Sequence, residues 1–215
     1  MSQSELFEAI RTNDVAAVAA LLDGDRSLLG ARQNGITPIL FAAYNGHGEL
    51  ASLFLNRGAT LTFGEACAIG DTALALRMVD GDPALLDEYT EDGFPPVGLA
   101  IFFRHPELAR SLIERGADVN AVARNAFGVA PVHAAASVRD AASMRLLLDR
   151  GADANARQQL GYTALHTAAQ LGDEGIAELL LAHGADPRVA GDDGKTPADL
   201  AAAHGHPGIV KLFSE

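Results

Sequence analysis

Tryptophan is missing from this chain, and cysteine occurs once, at Cys67. A lone cysteine excludes an intramolecular disulfide and favours a reducing compartment, so a cytoplasmic location is expected. Basic residues are scarce: 16 Lys and Arg stand against 28 Asp and Glu, a formal net charge of −12. That balance opposes nonspecific binding to nucleic acid or to an anionic membrane surface. It keeps the chain dissolved and, at long range, favours a basic partner. Long hydrophobic runs are lacking too, since no apolar stretch approaches the ~20 residues of a bilayer span. The first residues, Met1-Ser2-Gln3-Ser4-Glu5, lack the basic and apolar regions of a secretory signal. No Gly-rich phosphate loop, zinc-ligand spacing or Ser nucleophile elbow is present. The acidic turns Asp80-Gly81-Asp82 and Asp192-Asp193-Gly194 lack the ligand series and closing Glu of a calcium loop. Nothing here supports an enzyme, and no cofactor is expected.

What the chain does have is repetition. Pro131, Ala164 and Pro197 lie 33 residues apart, as do Gly151 and Gly184. Around them recur a Thr-Pro or Thr-Ala pair, an Ala-Ala pair, a Leu-rich stretch and a closing Gly-Ala-Asp. Each unit reads as two short helices. Pro opens the first, where a backbone N–H needs no partner inside the helix, and Gly closes the second with a left-handed cap. Asn34-Gly35 marks a hairpin turn, because both residues tolerate positive φ. Asn13-Asp14 separates two helices near the start.

The boundaries predicted on this basis are an N-terminal cap at 1–33, repeats at 34–62, 63–91, 92–124, 125–158 and 159–190, and a C-terminal cap at 191–215. The unit at 63–91 is irregular, with almost no hairpin. An echo spans the first four units: Leu21-Leu22-Asp23-Gly24-Asp25 and Leu28-Leu29 return 57 residues on as Met78-Val79-Asp80-Gly81-Asp82 and Leu85-Leu86. A short helical turn is expected at Leu28-Leu29 and again at Leu85-Leu86. The step from Pro96 to Pro131 is 35 residues, so the hairpin near Arg124-Asn125 is two residues longer.

The ~33-residue period and the core Gly161-Tyr162-Thr163-Ala164-Leu165-His166-Thr167-Ala168-Ala169 resemble the ankyrin-repeat family along the whole chain. The resemblance implies an all-α solenoid of stacked helix–turn–helix units with short β-hairpin loops. Each unit then contacts mainly its neighbours. It also implies that His133 and His166 bond to backbone and to a neighbouring Thr, tying repeats together. The function it implies is noncatalytic: a scaffold that binds another protein through its concave groove and hairpin tips. Two further readings are an enzyme's regulatory subunit or inhibitor and a module for a small ligand or metal. For a metal, His204 and His206 with Asp199 are the residues to test. The chain is expected to be monomeric alone, and Cys67 reads as a small core residue.

Two rows of residues are candidates for the binding surface. The first is apolar and lies at the ends of successive inner helices: Ile69, Phe103, Val138 and Leu171, with Tyr44 and Phe102 beside it. Contiguous exposed apolar surface marks interaction sites, and aromatics are favoured anchors. The second is a row of cations near the hairpin tips, Arg32, Arg124 and Arg157, with Arg188 less well aligned. A guanidinium suits carboxylate or phosphate recognition. Arg57, Arg115 and Arg150 each precede the glycine that closes an outer helix. There a cation complements the helix dipole, which makes them structural.

Overall fold

The computed structural model describes residues 2–214. Among these, fourteen α-helices alternate between an inner and an outer layer. The inner helices are α1 (Gln3–Arg11), α3 (Pro38–Tyr44), α5 (Phe63–Ile69), α7 (Pro96–Phe102), α9 (Pro131–Ser137), α11 (Ala164–Leu171) and α13 (Pro197–Ala203). The outer ones are α2 (Val15–Gly24), α4 (Gly48–Asn56), α6 (Thr72–Gly81), α8 (Pro106–Glu114), α10 (Ala141–Asp149), α12 (Glu174–Ala182) and α14 (Pro207–Leu212). Each inner helix packs on its outer partner and on the inner helix of the next unit, in chain order. The result is an all-α solenoid. Its loops carry one isolated β-bridge among the described residues, between Gln33 and Ile36 around a turn with Asn34 and Gly35 at positive φ.

The helices begin where the side chains supply caps. Thr37, Thr62 and Thr196 accept a hydrogen bond from the backbone N–H three residues on, opening α3, α5 and α13. Asp14, Asp71, Asp140 and Asp173 do the same for α2, α6, α10 and α12. The echo in the first half has a structural counterpart. After α2 and after α6 the chain makes a 3-10 turn, Arg26–Gly30 and Pro83–Asp87. Asp25 and Asp82 hold these turns by accepting from Ser27 N and Ala84 N at 2.9 and 3.1 Å.

Adjacent units are strapped together at three levels. At the loops, Asn120 and Asn155 donate to the carbonyls of Gly151 and Gly184 at 3.1 and 2.9 Å and accept from Asp153 N and Asp186 N at 2.8 Å. At the inner-to-outer turns, His105 reaches Ala68 O at 3.0 Å and His206 reaches Gln170 O at 3.2 Å. Each of these rings lies against a glycine at positive φ, Gly70 and Gly172. At the ends of the outer helices, Arg57 pairs with Asp23, Arg115 with Asp80 at 3.3 Å, and His183 with Asp149 at 3.3 Å. The cations expected to serve the helix dipole therefore also reach back to the preceding unit.

The apolar core is not uniform along the stack. One buried cluster joins α1 to α4, from Leu6 to Phe54, and another runs from Phe63 to Ala185. Leu61 touches both. Contact between α4 and α6 is slight. The seam falls where the link from α4 to α5 is too short to form a hairpin. Tyr44 and Ile69 also pack across it, and polar bonds join them: Thr37 donates to the buried Glu65 carboxylate, and Arg32 pairs with Glu91 at 2.9 Å.

Candidate functional site

The third residue of each inner helix decides what lies beneath the following loop. In α9 and α11 it is histidine. His133 Nδ1 accepts from Ala130 N at 3.0 Å, and its Nε2 lies 2.9 Å from Ala156 O. His166 Nδ1 accepts from Thr163 N at 3.1 Å, and its Nε2 lies 3.2 Å from Lys195 O. With Nδ1 occupied as acceptor, the proton sits on Nε2 and is donated to the carbonyl of the next loop. Burial holds both rings below the usual histidine range, so they stay neutral. In α5 the same place holds Glu65, only 4% exposed, which accepts from Thr62 N at 2.7 Å. In α7 it is Gly98, which has no side chain to offer.

A cavity of about 340 Å³ opens there. Gly98, Leu99 and Phe102 of α7, Phe94 and Pro95 before it, and Ala134 and Ser137 of α9 form its walls, with Phe127 and Val129 of the longer loop and Tyr44 from two units back. Phe102 is 46% exposed and Phe127 is 53% exposed. Phe127 is held from both sides: its N–H donates to Asn125 Oδ1 at 3.0 Å, and its carbonyl accepts from Gln159 N at 2.8 Å. Tyr44 donates its hydroxyl to Asp92 Oδ2 at 2.7 Å, and burial together with that carboxylate holds its hydroxyl protonated. The other oxygen, Asp92 Oδ1, is buried with no hydrogen-bond partner among the described residues.

The apolar row does not fall in one place. Tyr44 and Phe102 line this cavity, whereas Ile69 and Phe103 line a second hollow of about 290 Å³ with Leu55 and His105. Phe102 and Phe103 meet edge to face at 5.3 Å and form the ridge between the two, and Tyr44 packs on Phe103 at 5.3 Å. Val138 is buried, at 8% exposure, so its expected place on an open surface is corrected. The reason is register. In α7 and α9 the exposed place is the last helical residue, Phe102 or Ser137. The residue after it lies deeper as the helix ends: Phe103 is half-buried and Val138 is buried. Leu171 is half-buried, and its carbonyl accepts from Arg139.

The tip cations are exposed but mostly engaged. Arg32 pairs with Glu91 at 2.9 Å and Arg157 with Asp192 at 3.4 Å, while Arg188 pairs with Asp186 in its own loop at 2.9 Å. Arg124 lies 3.8 Å over the centre of the Tyr89 ring. Among the described residues, no carboxylate stands within ion-pair distance of Arg124. His204 and His206 do not converge with Asp199: they reach Leu200 O and Gln170 O, and Asp199 accepts from Thr196 N at 2.8 Å. No group of three metal-ligating side chains occurs among the described residues. Cys67 is fully buried, and burial pushes its thiol up to about 12. No helix among the described residues is long and apolar enough to cross a membrane.

The family model described as ankyrin repeats (3 copies) matches residues 6–123 and 132–215. The chain belongs to the ankyrin-repeat family. Repeats of this kind generally mediate protein–protein interaction and are typically noncatalytic. Two similar proteins are Protein fem-1 homolog CG6966 of Drosophila melanogaster, 29% identical over 124 residues, and E3 ubiquitin-protein ligase KEG of Arabidopsis thaliana, 32% identical over 98 residues. The matches cover 55% and 46% of this chain but only 16% and 6% of those proteins, well under two thirds of either. The sequence pattern does not single out Phe94, Phe127 or Gly98. The two-residue insertion near Asn125 and the glycine in place of the repeat histidine were the signals that could have found them.

Proposed function

We propose that this protein is a noncatalytic binding scaffold that holds another protein against its inner-helix face. The observation that carries this reading is the exposed aromatic pair Phe102 and Phe127 beside an apolar cavity. Helices α3, α7, α9 and α11 bear no Asp, Glu, Lys or Arg, and the one charged residue of α5, Glu65, is buried. A chain with 20% charged residues thus keeps charge off this strip. Tyr44 and Phe102 with Phe127 form the centre, Ile69, Phe103 and Leu171 extend it, and Arg32, Arg124 and Arg157 form its polar rim. Little of the surface has to be ordered on binding, because loops and helix ends are already fixed by hydrogen bonds. The E3 ligase among the relatives is matched over only 6% of its length. That shared portion supports binding, not ligation.

A photo-crosslinking phenylalanine analogue at position 102 tests the reading, with the same residue at the exposed, outer-layer position of Glu178 as control. In extract of the cells the protein comes from, a discrete protein adduct should form from position 102 and not from 178. Equal adducts from both, or adducts from 178 alone, would overturn the proposed face.

A further inference from the structure

We infer that the cavity under the 121–129 loop is an anchor pocket for one bulky apolar side chain of the partner, with Arg124 receiving a carboxylate next to it. The inference rests on the proposed inner-helix binding face and names what that face reads. The pocket exists because Gly98 stands where α9 and α11 carry histidine. In those units the imidazole bridges the helix to the next loop. Glycine leaves that space open, and the lengthened loop adds Phe127 to its wall.

The volume, about 340 Å³, is at the small end of ligand sites, suited to a single aromatic or large aliphatic group. The polar groups in the wall are largely committed. Tyr44 donates to Asp92, His133 uses both ring nitrogens, and the Ser137 hydroxyl donates to Ala134 O at 2.8 Å. Gln158 and Thr167 are the other polar side chains there. A free small molecule would find few groups to orient it. A side chain is oriented by the peptide that carries it, so the occupant is a peptide segment.

Charge sets the neighbour of that anchor. Arg32 and Arg157 already have acidic partners, whereas Arg124 has an aromatic face beneath it and, among the described residues, no carboxylate. Its backbone N–H donates to Gly93 O at 2.7 Å, and Asn125 donates to Asp92 O at 2.9 Å. Those bonds tie Arg124, which stands outside the pocket wall, to the loop that leads into Phe94, a part of that wall. A guanidinium stacked on a ring is held flat and ready for a bidentate acid. An Asp, a Glu or a C-terminal carboxylate close to the anchor fits it.

The test pans a displayed library of random dodecapeptides against the full chain. The enriched peptides should share one Phe, Trp, Tyr or Leu with an acidic residue nearby. A synthetic peptide of that pattern should lose about tenfold or more in affinity on Gly98→His, which fills the pocket. Ser137→Trp blocks the same cavity from an exposed position and carries the test if Gly98→His unfolds. Arg124→Ala should weaken binding several-fold and erase the preference for Asp over Asn beside the anchor. Binding that survives both filling variants but is lost on Phe102→Asp would overturn the pocket and leave the binding face standing. Binding that survives Phe102→Asp as well would sink both. Peptides without an apolar anchor, no enriched peptide, or binding of free indole alone would each overturn the peptide-anchor inference. An anchor with no acidic preference would overturn the part assigned to Arg124.

Discussion

Replacing His166 with alanine removes a fully buried ring with two distinct jobs. One is local. Its Nδ1 accepts from the N–H of Thr163, a residue only 1% exposed, so that N–H is left unpaired away from water. Such a loss costs about 1–3 kcal/mol. The other job spans units, since Nε2–H donates to Lys195 O in the loop that leads to α13. That carbonyl keeps a partner, since it also accepts from Gly191 N at 2.9 Å, so the loss of the histidine bond is worth roughly 0.5–1.5 kcal/mol. The emptied ring volume and the lost stacking on Tyr162, whose ring is 4.7 Å away and parallel within 7°, add about 1 kcal/mol. The expected total is roughly 3–5 kcal/mol. It should fall on the last helix pair, which joins α11 through a small cluster of Ala169, Ala201 and Ile209. His166→Asn separates the two jobs. At the same place in α13, Asp199 caps Thr196 N with its side chain. A short side chain can therefore restore the local cap and not the strap. Urea unfolding by circular dichroism, with hydrogen exchange read at α13 and α14, should show His166→Ala opening that pair first and His166→Asn lying between it and the parent. An unchanged midpoint for His166→Ala would refute the assignment of both bonds.

Three further outcomes follow from the same geometry. Burial lowers the folded-state titration of His133 and His166 from the ordinary 6.5. The unfolded chain then binds more protons below that pH, so stability present above about 6.5 should be lost as pH falls. Urea midpoints between neutral pH and pH 5 should drop, with a shallower slope for His166→Asn; a flat profile would mean that these rings are accessible. Gly70→Ala forces a side chain at φ +77° onto the His105 ring, 2.9 Å from its Cγ and closer to Nδ1. A loss of about 2 kcal/mol is expected from the left-handed strain and the displaced ring. Thermal melts should show that penalty partly relieved when His105→Ala is added, and additivity of the two changes would argue against contact. Hydrogen exchange should reveal α1 to α4 opening at lower urea than α7 to α12, because the core divides beside Leu61; simultaneous opening would show that the polar and apolar contacts across the seam bridge it fully.

The repeat and its helices were legible in the sequence because they depend on short-range physics. A 33-residue period, Pro at a helix start, Gly past a helix end and Asp or Thr at a cap act within a few residues. They placed the 3-10 turns after α2 and α6 from two matching Leu-Leu pairs. The face on which an end residue lands was less legible. Phe103 and Val138 sit one residue beyond Phe102 and Ser137, about 100° further round the helix. That single step separates an exposed side chain from one that is half-buried, as Phe103 is, or buried, as Val138 is. The pocket needed the tertiary structure outright. Gly98, Tyr44 and Phe127 are far apart in sequence, and each is unremarkable alone. They meet because the degenerate third unit supplies no hairpin between Tyr44 and the loop at Asp92, and because the next loop is two residues long in excess. The partners of the cations were likewise a matter of distance between units. Sequence could align Arg32, Arg124 and Arg157, but only the stacked loops gave acids to the first and last and left an aromatic ring under the second.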